Sequence, residues 1–308
     1  MEKTMRHCTV IYNPIASRFD NELLVKVLER LKDEDYTTTV VKSNRAGAVV
    51  PLVKEYNGKC DLILTMGGDG TVSEAINGFF GAEQLTTYAH LSMGTTNDVG
   101  RSLGLIHNDP LTSLELILSG AEKGIDIMSV NGKPFFYVSC FGYVSEIPYK
   151  TPTALKRRLG HAAYAAYFVA TSLKRMPRRR AIHMIADGVE IEGESVLSVI
   201  SNSHVYAGVS IYPNADLSDG IFELALLERL TPALAGQIFT DYLKGHVDLN
   251  KYPSAVHTLQ AKELILEFDN VDWDADLDND GECVKIPRTE KCRLVYRVAG
   301  QIRMLLPR

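Results

Sequence analysis

The sequence predicts an α/β domain built on a parallel sheet, followed by a mostly antiparallel β domain. Strand-like and helix-like segments alternate over the first 130 residues, and hairpin signals replace that alternation beyond them. A chain of 308 residues also exceeds the usual size of one hydrophobic core, which favours two domains.

The first strands are expected at residues 9–12, 37–42, 62–66 and 87–91, where short β-rich runs occur. Between the first two, Leu23, Leu24, Val27, Leu28 and Leu31 mark one apolar helical face, and residues 48–56 form a second helix. Such alternation places helices on both faces of a parallel sheet, giving three layers, with ligands at the carboxyl ends of the strands. After the apolar run 125–129, Asn131-Gly132 and Asp187-Gly188 are hairpin turns flanked by the β-prone runs 134–141, 181–186 and 196–201. A long helical pattern over 153–176 interrupts this second domain. The domains are expected at 1–128 and 129–294, with 295–308 packing back on the first.

The net charge of −5 argues against a general nucleic-acid binder. Charge is unevenly spread, because residues 147–186 hold nine Lys or Arg and no Asp or Glu. That stretch suggests one anion-facing surface. The five cysteines form no CxxC pair, which fits free thiols in a reducing cytosol. No secretory leader is visible, and the best candidate span, 162–173, is shorter than the roughly 20 residues a membrane helix needs. Any membrane contact is therefore expected to be peripheral.

The chemistry concentrates in glycine loops. Gly67, Gly68, Asp69, Gly70 and Thr71 directly follow the strand 62–66, and Val72, Ala75, Ile76 and Phe79 continue at helical spacing. Thr71 and Glu74 have capping-box spacing. A strand, a glycine turn and a helix start offer free N–H groups to phosphate. A second loop, Gly94, Thr95, Thr96, Asn97 and Asp98, follows the strand 87–91. Each loop carries a carboxylate, and a carboxylate beside phosphate calls for a cation such as Mg2+. The plain alternative is that Asp69 and Asp98 are helix caps. No GxxxxGK[ST] loop, GxGxxG fingerprint or HRD/DFG set is present.

Residues 67–78, GGDGTVSEAING, resemble the signature of the diacylglycerol kinase catalytic-domain family, shared more loosely with sphingosine kinases and NAD kinases. Residues 94–98 resemble that family's second nucleotide loop. Asn13-Pro14 resembles its opening motif, and 155–160 resemble a stretch of its bacterial members. The resemblance implies an N-terminal nucleotide-binding domain, a C-terminal β-sandwich and an ATP- and Mg2+-dependent lipid kinase of the cytoplasm, acting at the inner face of a membrane. Diacylglycerol is the leading acceptor, placed between the domains, and a homodimer is compatible with the family. ATP would be held by Asn13, Pro14, Ser43, Gly67, Gly68, Asp69, Gly70, Thr71, Val72, Ser73, Gly94, Thr95, Thr96 and Asn97, with Asp69, Asp98 and Asp126 organising catalytic Mg2+ through waters. Asp280-Gly281-Glu282 resembles the family's catalytic element, and either Asp280 or Glu282 would accept the lipid hydroxyl proton. Residues 213–220 resemble a structural Mg2+ loop whose ligands would be Asp216, Asp219 and the carbonyl of Ile221. The sequence departs from the family at Ile15-Ala16-Ser17 and at Thr96, where glycine is frequent.

Three other readings compete. Asp276, Asp278, Asp280 and Gly281 match the opening of an EF-hand loop, but its twelfth position would be Pro287, which cannot donate a carboxylate. An NAD kinase or other small-molecule kinase would share the first glycine loop. A non-catalytic nucleotide or lipid sensor would lack a catalytic acid, whereas all the expected acids are present.

Overall fold

The apolar runs and helical faces assemble, in a computed structural model of the chain, into two units: Met1–Ile127 with Gln301–Arg308, and Met128–Gly300. The structure describes residues 5–142, 151–152, 155, 163, 166–167, 170, 179–269, 276–286 and 291–308. The helical stretch expected over 153–176 falls almost wholly outside them.

In the first unit, β1 (Arg6–Tyr12), β2 (Tyr36–Lys42), β3 (Leu62–Gly67) and β4 (Thr87–Ser92) form a parallel sheet in the order β2-β1-β3-β4. Met304 of the last strand, β18 (Cys292–Leu306), lies parallel beside Tyr88. Every residue of β3 and β4 is buried, as expected for central strands covered on both faces. The first helix, α1 (Asn21–Asp33), starts where the Asp20 side chain accepts the Leu23 amide, and it turns Val27 and Leu31 inward. The next two, α2 (Val49–Tyr56) and α3 (Asp69–Phe79), pack on each other. Gly78 makes this possible, since a Cβ there would lie 2.7 Å from Cβ of Val53.

The Thr71–Glu74 capping box does not form. Gly68 is the N-cap of α3 without a side-chain bond, so Thr71 already lies inside the first turn. The Glu74 carboxylate instead accepts the amides of Gly47 and Val49 at 2.7 and 2.9 Å. These belong to the start of α2, whose own N-cap, Ala48, has no side-chain acceptor to offer. The short helices α4 (Asp98–Ser102) and α5 (Pro110–Leu118) complete the unit before β5 (Ala121–Val130).

Among its described residues the second unit contains two larger antiparallel sheets beside the small pair β11 (Val205–Tyr206) and β12 (Val209–Ser210). One runs β14 (Val256–Ala261), β13 (Phe222–Leu227), β10 (Leu197–Ser201), β7 (Val138–Gly142), β16 (Leu277–Asn279) and β17 (Glu282–Val284). In the other, β15 (Glu263–Phe268) pairs with the first half of β18 and with β8 (Arg180–Ala186), which pairs with β9 (Val189–Ser195). Asn131-Gly132 and Asp187-Gly188 make the expected hairpins, each with both residues at positive φ.

Phe141, Phe222, Leu224, Leu264, Phe268 and Tyr296 share the core between these sheets. A second core joins Ala225 and Leu227 to Leu234 and Ala235 of α6 (Pro232–Leu243). Burial on both faces explains why β13 is a continuous buried run. The strand expected over 134–141 is divided between β6 (Lys133–Phe135) and β7, because the amides of Phe136 and Tyr137 go to a side chain described below. Among the described residues no helix is long and apolar enough to cross a membrane.

Candidate active site

Three loops meet at the carboxyl ends of β1, β3 and β4. The Asn13 amide donates to the Met66 carbonyl at 2.9 Å, the Arg18 amide to the Met93 carbonyl at 3.1 Å, and the Met93 amide to the Gly67 carbonyl at 2.6 Å. Thr95 and Ser17 hydroxyls lie 3.3 Å apart. The glycines are needed at the closest approach: a Cβ on Gly94 would sit 2.8 Å from Cα of Gly68, and one on Gly67 would sit 2.1 Å from Oγ1 of Thr71. Ser43 stands at the end of β2, with its amide on the Tyr12 carbonyl.

Several predicted side chains shape this framework. Asn97 is buried at positive φ, and its side-chain amide closes on both the N–H and the carbonyl of Gly94. Val72 is fully buried and Ser73 nearly so, so Val72 can face a ligand only through its backbone. Asp69 ties the two glycine loops together by accepting the amides of Asp98 and Val99 at 3.2 and 3.1 Å. It thus acts as an acceptor at the start of α4, where Asn97 provides no side-chain cap. Burial raises the Asp69 pKa, opposed by the amides of Val99, Asp98 and Asn97 and by the Arg101 charge. Asp98 itself is the first residue of α4 and is buried. Asp126 is equally buried and is held by Gln301, whose Nε2 donates to Oδ1 at 2.9 Å. Nothing local marks Gln301, which lies 175 positions away.

In the second unit, Asp280-Gly281 is the two-residue turn between β16 and β17, with φ of 53° and 86°. Asp280 is 5% exposed, and its carboxylate accepts three consecutive amides: Phe136 at 2.8 Å, Tyr137 at 3.0 Å and Val138 at 3.2 Å. These bonds divide the run 134–141 and fix the orientation of Asp280. Glu282 is exposed at the start of β17. Asp278 is 1% exposed, and among the described residues neither carboxylate oxygen makes a well-formed hydrogen bond. Burial pushes its pKa up to about 8, with the negative Asp280 adding to the shift and the Gly281 amide opposing it.

The acids of the EF-hand reading diverge. Asp276 engages Lys285, Asp280 takes the amides, and a hairpin replaces the calcium loop. The predicted Mg2+ loop consists of two Asx turns: Asp216 accepts the Ser218 amide and hydroxyl, and Asp219 accepts the Ile221 amide. Beyond it, the Glu223 pKa is pushed up to about 7, by burial first, with the Asp219 charge contributing. Among the described residues no group of three His, Cys, Asp or Glu is gathered for direct ligation of a metal. Asp69, Asp98 and Asp126 bring hard oxygen donors, the ligand type Mg2+ takes. Of the basic stretch, Arg179 pairs with Glu194 at 2.7 Å.

Comparison with known proteins agrees with this architecture unit by unit. A family model for the diacylglycerol kinase catalytic domain matches residues 7–130. One described as the YegS C-terminal NAD kinase beta sandwich-like domain matches residues 144–294. A diacylglycerol kinase of Bacillus subtilis (strain 168) is 30% identical over 244 residues, covering 78% of this chain and 80% of the relative. One from Staphylococcus aureus (strain JH9) is 28% identical over 283 residues, covering 90% and 86%. A crystal structure of a diacylglycerol kinase from Bacillus anthracis str. Sterne superposes with a TM-score of 0.75 at 22% identity, covering 99% of this chain and 98% of that one. At that identity the last match speaks for the fold alone.

Proposed function

The chain belongs to the diacylglycerol kinase family and is a lipid kinase, and from that premise we propose that it transfers the γ-phosphoryl group of ATP to the hydroxyl of diacylglycerol with Mg2+. ATP use follows from the kinase family; the acceptor and the metal are the finer part of the reading. The observation that carries it is the back-to-back packing of the two glycine loops, joined by Asp69. Phosphoryl transfer needs its phosphates positioned and their charge neutralised more than it needs covalent help. Within Gly67–Ser73 the amides of Thr71 and Val72 go to the Gly68 carbonyl, so the N–H groups ahead of them and those around Thr95 supply positioning, and Asn13, Pro14 and Ser43 border the same strand ends.

When bound, Mg2+ would neutralise phosphate charge, and Asp69, Asp98 and Asp126 are the residues that would hold it through waters. Asp280 and Glu282 are the two candidates for accepting the acceptor hydroxyl proton. Asp280 is the more rigidly held, and Glu282 is the more open. Asp216, Asp219 and the Ile221 carbonyl form a separate structural Mg2+ loop in this reading. The basic stretch 147–186 docks the protein on anionic lipid at the inner membrane face, each productive cation contributing about 1 kcal/mol. Docking of this kind weakens with salt; binding to anionic liposomes that ignores salt would remove it.

The deciding experiment incubates the protein with radiolabelled ATP and a panel of diacylglycerol, phosphatidylglycerol, sphingoid base, ceramide, polyprenol and NAD. Labelled phosphatidic acid as the main product supports the reading. Label confined to NAD would identify a small-molecule kinase, and another labelled lipid would replace the acceptor.

A further inference from the structure

We propose that Gln301 is a positioning residue that sets the orientation of Asp126, an inference that rests on the Mg2+ role given to Asp126 above. A carboxylate on a strand can rotate about two side-chain bonds, and only its surroundings choose one orientation. At Asp126 the choice is made in part by the Gln301 side-chain amide, which donates to Oδ1 at 2.9 Å.

The strand that carries Asp126, β5, makes room for this contact two residues earlier. A Cβ on Gly124 would lie 2.6 Å from Oε1 of Gln301 and 3.2 Å from its Cδ, so the glutamine side chain lies across the glycine. The backbone that carries Gln301 is clamped two residues further on. There Gln84 accepts the Arg303 amide at 2.6 Å and donates to the Arg303 carbonyl at 2.8 Å. Further along, Leu306 packs against Gly120 so closely that a Cβ there would sit 1.8 Å from the Leu306 carbonyl oxygen. The C-terminal segment is therefore fixed before its glutamine reaches the acid, which is what a positioning group requires. Groups that orient an acid around a metal commonly change metal affinity by 10- to 100-fold when removed.

The test measures Mn2+ affinity by electron paramagnetic resonance, with a non-hydrolysable ATP analogue bound, on the full chain. Gln301→Met keeps the length of the side chain and removes the donor. The expected result is an affinity about tenfold weaker, with a matching rise in the Mg2+ needed for half-maximal rate and an unchanged KM for lipid. Gly124→Ala pushes the same side chain without touching its chemistry and should weaken Mn2+ in the same direction. Mn2+ affinity within twofold of the parent in both variants, while Asp126→Asn weakens it, would overturn the role of Gln301 and leave that of Asp126 intact. If Asp126→Asn also binds Mn2+ normally, the metal role of Asp126 falls and the inference with it.

Discussion

Replacing Asp278 with Asn should stabilise the second unit, and the gain should grow with pH. Asp278 lies on β16 opposite Cys140, 1% exposed, with no well-formed hydrogen bond to either oxygen among the described residues and the Asp280 carboxylate nearby. Its pKa is raised from 3.8 to about 8, so the folded chain binds this proton more tightly than the unfolded chain. Between those values the folded state carries more protons, and stability falls as pH rises, by about 1.4 kcal/mol per unit. The accumulated loss is on the order of 5 kcal/mol by pH 8 and is constant above it. Asn cannot ionise and escapes that loss. Its buried amide carries a constant cost of about 1–3 kcal/mol, which offsets the whole curve without changing its slope. The single tryptophan, Trp273, lies five positions before Asp278 in sequence and gives a fluorescence signal for urea unfolding at pH 5, 6, 7 and 8. The expected difference between variant and parent widens by several kcal/mol across that range. A difference that stays flat would refute the claim that the folded chain holds the Asp278 proton up to about pH 8.

Other outcomes follow from the same geometry. Gly94→Ala should weaken ATP binding and cost about 1–3 kcal/mol of stability by overpacking, because its Cβ meets the Gly68 backbone at 2.8 Å; wild-type ATP affinity by calorimetry would refute this. Asp280→Asn should lower kcat and also destabilise the hairpin, since an amide NH2 would face an N–H donor where the carboxylate accepts three amides. Glu282→Gln, at an exposed position, should leave the melting temperature unchanged. If only the Glu282 variant loses turnover, Glu282 is the proton acceptor and Asp280 an anchor. Mg2+ should raise the melting temperature of the parent and Asp216→Asn should abolish that rise; a variant that keeps the full rise excludes the proposed loop site.

The sequence by itself determined the features that depend on neighbours along the chain. Helical and strand periodicity placed α1, α2 and the four parallel strands, with end shifts such as β1 beginning at Arg6 rather than Thr9. Asn131-Gly132 and Asp187-Gly188 were legible as turns because positive φ is a local steric demand that those residue pairs meet. The glycine loops were legible for a related reason, although the Gly68–Gly94 approach that requires them involves two loops. Tertiary structure decided where the carboxylates go. Glu74 reads as a capping partner of Thr71, yet it serves the start of α2. Asp280 takes amides more than 140 positions away and thereby interrupts a run that would otherwise continue as one strand. Gln301 reaches Asp126 from the far end of the chain, and among the described residues Asp278 is left without a well-formed side-chain hydrogen bond. A side chain's periodicity fixes the face on which it lies, but its hydrogen-bond partners are whatever distant backbone the packed core brings to that face.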